Sequence, residues 1–236
     1  MGSTRATARL AGILYLLSGL PGIFSYLYVP GALIVPGDAA ATARRITDAA
    51  LTYRMGILAD LVGQIVLILL VLTLYKLLRD VDRTYARLMV TLVVVGVAVQ
   101  IANVLNLVAP LVLLSGADFL SVFTKPQLDA LALVCLSVRD SGLFVSQVFW
   151  GLWLLPFGLL VIRSGFFPRI LGRLLIVAGC GYVAASLAFV AFPAHAHLVI
   201  HLGQALGGLG EGSMIVWLLI RGATVPAPAG PRGEAL

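Results

Sequence analysis

Residues 54–77 read RMGILADLVGQIVLILLVLTLYKL, and between the basic residues Arg54 and Lys76 the 21 intervening positions carry a single charge, Asp60. A run of that length and polarity matches the roughly 20 residues a helix needs to cross the hydrocarbon core of a bilayer. Its apolar character is continuous, whereas a barrel strand would alternate polar and apolar with period two. Further runs of the same kind lie at about residues 10–35, 87–115, 142–162, 170–192 and 197–220. The whole chain of 236 residues is 61% apolar and 11% charged, far below the roughly 25% charge of a soluble domain, and its mean hydropathy is +1.06. No room is left for a soluble catalytic domain. The expectation is an all-α polytopic membrane bundle with six transmembrane helices over residues 1–222, followed by a disordered Pro-, Ala- and Gly-rich cytoplasmic tail over 223–236.

The net charge of +6 and the pI near 9.7 do not point to nucleic acid, because the basic residues sit in short loops and do not gather on one exposed face. Arg5, Arg9, Lys76, Arg79, Arg83, Arg87, Arg163, Arg169, Arg173, Arg221 and Arg232 fall on one side, 11 of the 16 Lys and Arg; Arg44, Arg45, Arg54, Lys125 and Arg139 fall on the other. The basic side is cytoplasmic by the positive-inside rule, which puts both termini in the cytoplasm and agrees with an even number of spans. The first run is too long for the 7–15 apolar residues of a signal peptide, so it reads as an uncleaved anchor, kinked at Pro21 and Gly22. The lipid bilayer is thus the one certain partner, the oligomeric state is open, and Cys135 and Cys180 lie at depths too different for an easy disulfide. In the outer segments, a short surface helix is expected over 40–49. Lys125 to Arg139 reads either as an interfacial helix or as a plain extension of the fourth span.

Polar residues inside the spans carry the functional signal, since a charge at the bilayer centre costs about 2.5 to 3.5 kcal/mol on insertion scales. His197, His201, Gln204 and Glu211 follow one another at steps of 4, 3 and 7, within an arc of about 80° at 100° per residue. Gly208 shares that stripe and offers close approach to the backbone. Asp60 and Gln64 are an i, i+4 pair; Gln100, Asn103 and Asn106 step by three along the third span; Gln147 lies one heptad below Asp140. Counted by depth, these groups crowd the outer half of the bundle, while 65–72, 92–99, 152–162 and 215–220 contain no ionisable side chain. The expectation is a polar pocket open to the extracytoplasmic side, closed below by an apolar plug, that binds or translocates a small solute through Asp60, Gln64, Asn103, Gln147, Gln204 and Glu211. Glu211 at mid-depth calls for a partner, with Arg54, Arg139 and a histidine of its own stripe as candidates. The opposing reading makes the amides helix glue, each interhelical hydrogen bond contributing about 0.6 kcal/mol.

No nucleophile elbow, phosphate-binding loop or Cys-x-x-Cys motif is present. His197 and His201 at i, i+4 have the spacing of a metal-binding pair, with Asp60 or Asp140 as a further ligand and a metal-dependent intramembrane enzyme as the alternative function. The Glu of H-E-x-x-H is missing, so no cofactor is predicted. Gly203, Gly207 and Gly210 read as close helix packing, and Tyr15, Tyr26, Tyr28 and Trp153 as anchors or packing, with Trp150 deep enough to line the pocket.

The strings Ala8-Arg9-Leu10-Ala11-Gly12-Ile13-Leu14-Tyr15, Phe167-Pro168-Arg169 followed by Gly172, and Glu211 with Trp217-Leu218-Leu219-Ile220-Arg221-Gly222 resemble an uncharacterised bacterial membrane family, domain of unknown function 4386. The resemblance extends over nearly all the spans. It implies an α-helical protein of the bacterial inner membrane and no known activity. In the family pattern an acidic residue stands on the third span where this chain has Gln100, which implies a pocket with one charge fewer and weakens a proton-coupled role.

Overall fold

The computed structural model describes residues 2–223; the tail expected from 223 onward lies outside them except for Ala223. Every regular element among the described residues is helical. In chain order they are α1 (Gly2–Ile23), a five-residue π segment (Phe24–Tyr28), α2 (Val29–Leu33), α3 (Ala39–Asp48), α4 (Ala50–Leu78), α5 (Arg83–Leu113), a 3₁₀ turn (Asp118–Leu120), α6 (Lys125–Leu152), α7 (Leu154–Ser164), α8 (Arg169–Ala191) and α9 (Ala196–Ile220).

Five helical stretches are long and apolar enough to cross a membrane: Thr4–Leu33, Ala50–Leu78, Arg83–Leu113, Lys125–Ser164 and Arg169–Ala191. Helix α9 is not among them, although its 25 residues span about 37 Å at 1.5 Å per residue. The cause is its composition: His197, His201, Gln204, Glu211 and the glycines at 203, 207, 208, 210 and 212 dilute its apolar character. Large apolar side chains such as Leu58, Ile65, Leu105, Val177 and Leu187 stand exposed along the other helices, as a lipid-facing belt requires.

Two of the sequence expectations take definite form here. The surface helix over 40–49 is α3, capped at its N-terminus by Asp38, whose Oδ1 accepts from the amide of Ala41 at 2.8 Å. The segment from Lys125 is an extension of the fourth span, not a separate interfacial helix. It starts with a capping box between Thr124 and Gln127 and continues unbroken to Leu152. The helix breaks at Trp153 because Pro156 has no N–H to donate to Leu152, and α7 resumes beyond it.

Ends and core follow from charge and burial. At the end that carries most of the arginines, Arg163 of α7 pairs with Asp82 at 3.0 Å and lies over the ring of Tyr85 at 4.9 Å, so α7 is tied to the start of α5. Gly165, in the left-handed region at φ +66°, turns the chain from α7 into α8. A large apolar core fills this half of the bundle, with Leu74, Leu78, Met89, Leu154, Phe157, Leu160, Leu175, Met214 and Leu218 fully buried. A smaller apolar cluster of Val29, Leu33, Ile46, Tyr53, Ile57, Val104, Leu107 and Leu136 closes the opposite end. Read along α4, Tyr53 and Ile57 belong to the second cluster, Leu70 to Leu78 to the first, and Asp60 and Gln64 fall between them. Along α5 the same order runs in reverse, with Gln100 and Asn103 between Val97 and Val104.

Helices α8 and α9 form a close hairpin because glycines remove side chains from their seam. A methyl at Gly203 would meet the Gly181 carbonyl oxygen at 2.6 Å, and one at Gly210 would meet the Ala178 methyl at 2.8 Å, whereas at Gly208 it would meet nothing within 4 Å. Gly203→Ala is accordingly expected to lower stability by about 1–3 kcal/mol through overpacking. Gly208→Ala should be neutral or stabilising by up to about 1 kcal/mol through helix propensity. Thermal unfolding of the purified variants in detergent checks the sign of both.

Candidate functional site

The polar layer between the two apolar clusters is built from four segments. Pro21 removes a backbone donor near the end of α1, and three residues later the helix widens into the π segment, where the amide of Val29 bonds back to Phe24. The wider turn buries Ser25 and sends Tyr26 inward. Its hydroxyl donates to Oδ1 of Asp60 at 2.7 Å. Gln64, one turn along α4, donates to the same oxygen at 3.1 Å and to the Tyr26 oxygen at 3.4 Å. Gln100 of α5 donates to Oδ2 of Asp60 at 3.4 Å while its own carbonyl accepts from Ser146 of α6 at 3.1 Å.

Arg139 of α6 completes the layer. Only 3% of it is exposed, its guanidinium lies 3.9 Å from Oδ2 of Asp60 and 3.0 Å from Asp140, and it rests on the Tyr26 ring at 4.9 Å. Asp60 is 1% exposed and thus has donors from three helical segments and a cation from a fourth. Such a carboxyl is a structural tie between the four segments around it. Asn103 belongs to the same seam. It donates to the Arg139 carbonyl at 2.9 Å and accepts from Asn106 at 3.2 Å, in a space left open by Gly142.

Glu211 stands in a different environment. It accepts from the Tyr15 hydroxyl at 2.6 Å, Tyr182 lies beside it, and among the described residues no Lys, Arg or His forms an ion pair with it. Arg139, a partner candidate from the sequence, is held by the two aspartates instead. Between Glu211 and Asp60 lies a cavity of about 520 Å³, within the size range of small-molecule sites. Its wall includes Tyr15, Tyr26, Trp150, Trp153 and Tyr182, the amide of Gln64, and bare helix backbone at Gly19, Gly208 and Gly212. A methyl at any of those three glycines would meet nothing within 4 Å, so the cleft between α1 and α9 is held open by missing side chains. Tyr15 and Trp153 pack with ring centroids 5.9 Å apart, and Trp153 stacks on Phe157 at 5.5 Å, which anchors the aromatic wall in the larger core.

Of the residues singled out from the sequence, Asp60, Gln64 and Glu211 line this one cavity. Asn103 is buried in the α5–α6 seam, Gln147 is buried on α6 outside the cavity lining, and Gln204 is exposed on α9. His197 and His201 are also exposed, with their Nε2 atoms 2.9 Å apart. No third His, Cys, Asp or Glu among the described residues joins them in a group able to hold a metal. Trp150 lines the cavity. Cys135 and Cys180 are free.

Two participants escaped the sequence reading, and a third was given another partner. Arg139 was a candidate for Glu211; the continuity of α6 from Lys125 places it against Asp60 instead. Tyr15 and Tyr26 looked like interface anchors, and only the π segment and the crossing of α1 with α9 give their hydroxyls carboxyl partners. The available signal was an arginine next to an aspartate at the edge of a span.

The ion pair yields a direct prediction. Arg139→Leu leaves Asp60 buried without its cation and is expected to cost about 3 kcal/mol or more. The double variant Arg139→Leu/Asp60→Asn should recover at least about 1 kcal/mol of that loss, as read from unfolding of each variant in detergent.

Searches of curated proteins and of solved structures found no match for this chain. A family model does match, across residues 10–222, and it covers both the polar layer and the cavity. The chain belongs to the family described as Domain of unknown function (DUF4386).

Proposed function

We propose that the chain is a six-span protein of the bacterial inner membrane, with both termini cytoplasmic, whose cavity between α1, α4 and α9 binds or translocates a small solute from the extracytoplasmic side. The observation that carries this reading is the cavity of about 520 Å³ lined jointly by Glu211, Asp60 and Gln64, above a fully apolar floor of Leu70, Leu74, Phe157 and Met214. Packing of α9 along α8 and α1 supports a sixth span, since a helix of that length seated between spanning neighbours shares their direction. The arginine-rich loops at the floor end support a cytoplasmic floor. Within this reading Glu211 is the binding charge and Asp60 the fixed one, because only Glu211 has no cation of its own.

The chemistry available at the site is binding and orientation. Tyr15 and Tyr182 hold the Glu211 carboxyl in place, the aromatic wall gives apolar surface, and the Asp60–Arg139 layer keeps α4 and α6 at a fixed separation. The exposed His197–His201 pair favours a second reading, a weak metal site, for which zinc retained by the purified wild type and lost in His201→Ala would be the sign. With no metal required for the pocket reading, elemental analysis is expected to find none.

Labelling with a membrane-impermeant thiol reagent in intact cells tests the main proposal. In a Cys135→Ser/Cys180→Ser background, Gly37→Cys and Gly208→Cys should react from outside, and Asp80→Cys should react only after permeabilisation. An inert Gly208→Cys beside a reactive Gly37→Cys would remove the open cavity; a reactive Asp80→Cys in intact cells would reverse the orientation.

A further inference from the structure

The cavity wall has an unequal hydrogen-bonding inventory, and this points to a ligand class. The Tyr15 hydroxyl is spent on Glu211, that of Tyr26 on Asp60, and that of Ser18 on the Tyr15 carbonyl. Both contacts of the Gln64 amide nitrogen go to Asp60 and Tyr26. Those acceptors fix which way the Gln64 amide points. Its Oε1 is left without a partner although the side chain is only 6% exposed and lines the cavity. An unpaired buried acceptor costs about 1–3 kcal/mol unless something donates to it.

Electrostatics agree with this. No Lys, Arg or His belongs to the lining, and Arg139, the nearest guanidinium, sits against the Tyr26 ring and is paired with Asp60 and Asp140. Glu211 is thus a carboxyl without a cation, facing a wall of Tyr15, Tyr26, Trp150, Trp153 and Tyr182. A buried acceptor without a donor, a carboxyl without a counter-charge and several aromatic faces suit a cation that carries N–H groups. An anion would find no cation in the lining to pair with.

Resting on the solute reading above, we propose that the cavity takes a small protonated organic amine, its N–H groups reaching Glu211 and the amide oxygen of Gln64 and its apolar body lying against the aromatic wall. The same ammonium chemistry is offered by a free amine and by a lipid headgroup of the ethanolamine type.

Equilibrium binding to the purified full chain in detergent, with benzylammonium, benzyltrimethylammonium, benzyl alcohol and benzoate as probes of equal core shape, tests the assignment. Benzylammonium should bind at least tenfold more tightly than benzyl alcohol, benzoate should not bind, and benzyltrimethylammonium, a cation without N–H, should fall between. Glu211→Gln should weaken benzylammonium at least tenfold. Gln64→Leu should bring it down to the level of the quaternary probe while both cations still bind more tightly than benzyl alcohol, a pattern that general misfolding does not give. Gly208→Leu should abolish binding by filling the cleft. Repeating the titration in nanodiscs separates the sources: competition by an ethanolamine lipid but not by a glycerol lipid assigns the headgroup, and equal affinity in both assigns a free amine. Benzoate or benzyl alcohol binding as tightly as benzylammonium, and blocked by Gly208→Leu, would overturn the amine assignment and leave the cavity reading standing. No binding of any probe would overturn the assignment as well, with the thiol labelling deciding the cavity by itself.

Discussion

A carboxyl group inside a helix bundle has to find its donors and its counter-charge among the neighbouring helices, because hydrocarbon supplies neither. Asp60 meets that constraint completely. Tyr26, Gln64 and Gln100 donate to it and Arg139 faces it, so the π segment, α4, α5 and α6 are positioned by one side chain. The geometry of the polar layer follows from this, and so does the division between the two apolar clusters on either side of it. Glu211, by contrast, accepts from the Tyr15 hydroxyl and has no cation paired with it among the described residues. Two acids on the wall of one cavity therefore differ in surroundings, one tied into the polar layer and the other turned to the cavity without a counter-charge.

The space between them is a product of small residues placed on particular helix faces. Gly203, Gly207 and Gly210 bring α9 hard against α8, while Gly208 and Gly212, on another face of the same helix, and Gly19 on α1 border empty space. One helix thus uses glycine in two ways: to pack and to keep a cleft open. Helix α9 is also packed along both α8 and α1. A helix held by its neighbours in this way can carry groups that a lone span would expel.

Helix existence and type were legible from continuous apolar runs, and the limits of those runs agree with the helices α4, α5, α8 and α9 to within a few residues. So was the inward stripe of Asp60 and Gln64, since an i, i+4 pair on an apolar helix has one face to occupy. Three of the four residues of the α9 stripe were misleading: the 100° rule puts His197, His201, Gln204 and Glu211 on one side, but α1 covers that side only towards the basic end, so the first three stay exposed. Tyr26 was hidden for a different reason: its role depends on a π turn downstream of Pro21, which leaves no periodic trace in the sequence. Arg139 was named as a partner for Glu211 and faces Asp60 instead, because spacing along one helix does not say which neighbouring helix a side chain meets.

The division of labour between the two acids can be read directly by treating membranes with a lipid-soluble carbodiimide and mapping the modified peptides by mass spectrometry. The account predicts adduct formation at Glu211, which faces an apolar cavity with no cation, and none at Asp60, whose oxygens are occupied by Tyr26, Gln64, Gln100 and Arg139. Equal modification of both acids, or modification of Asp60 alone, would contradict it.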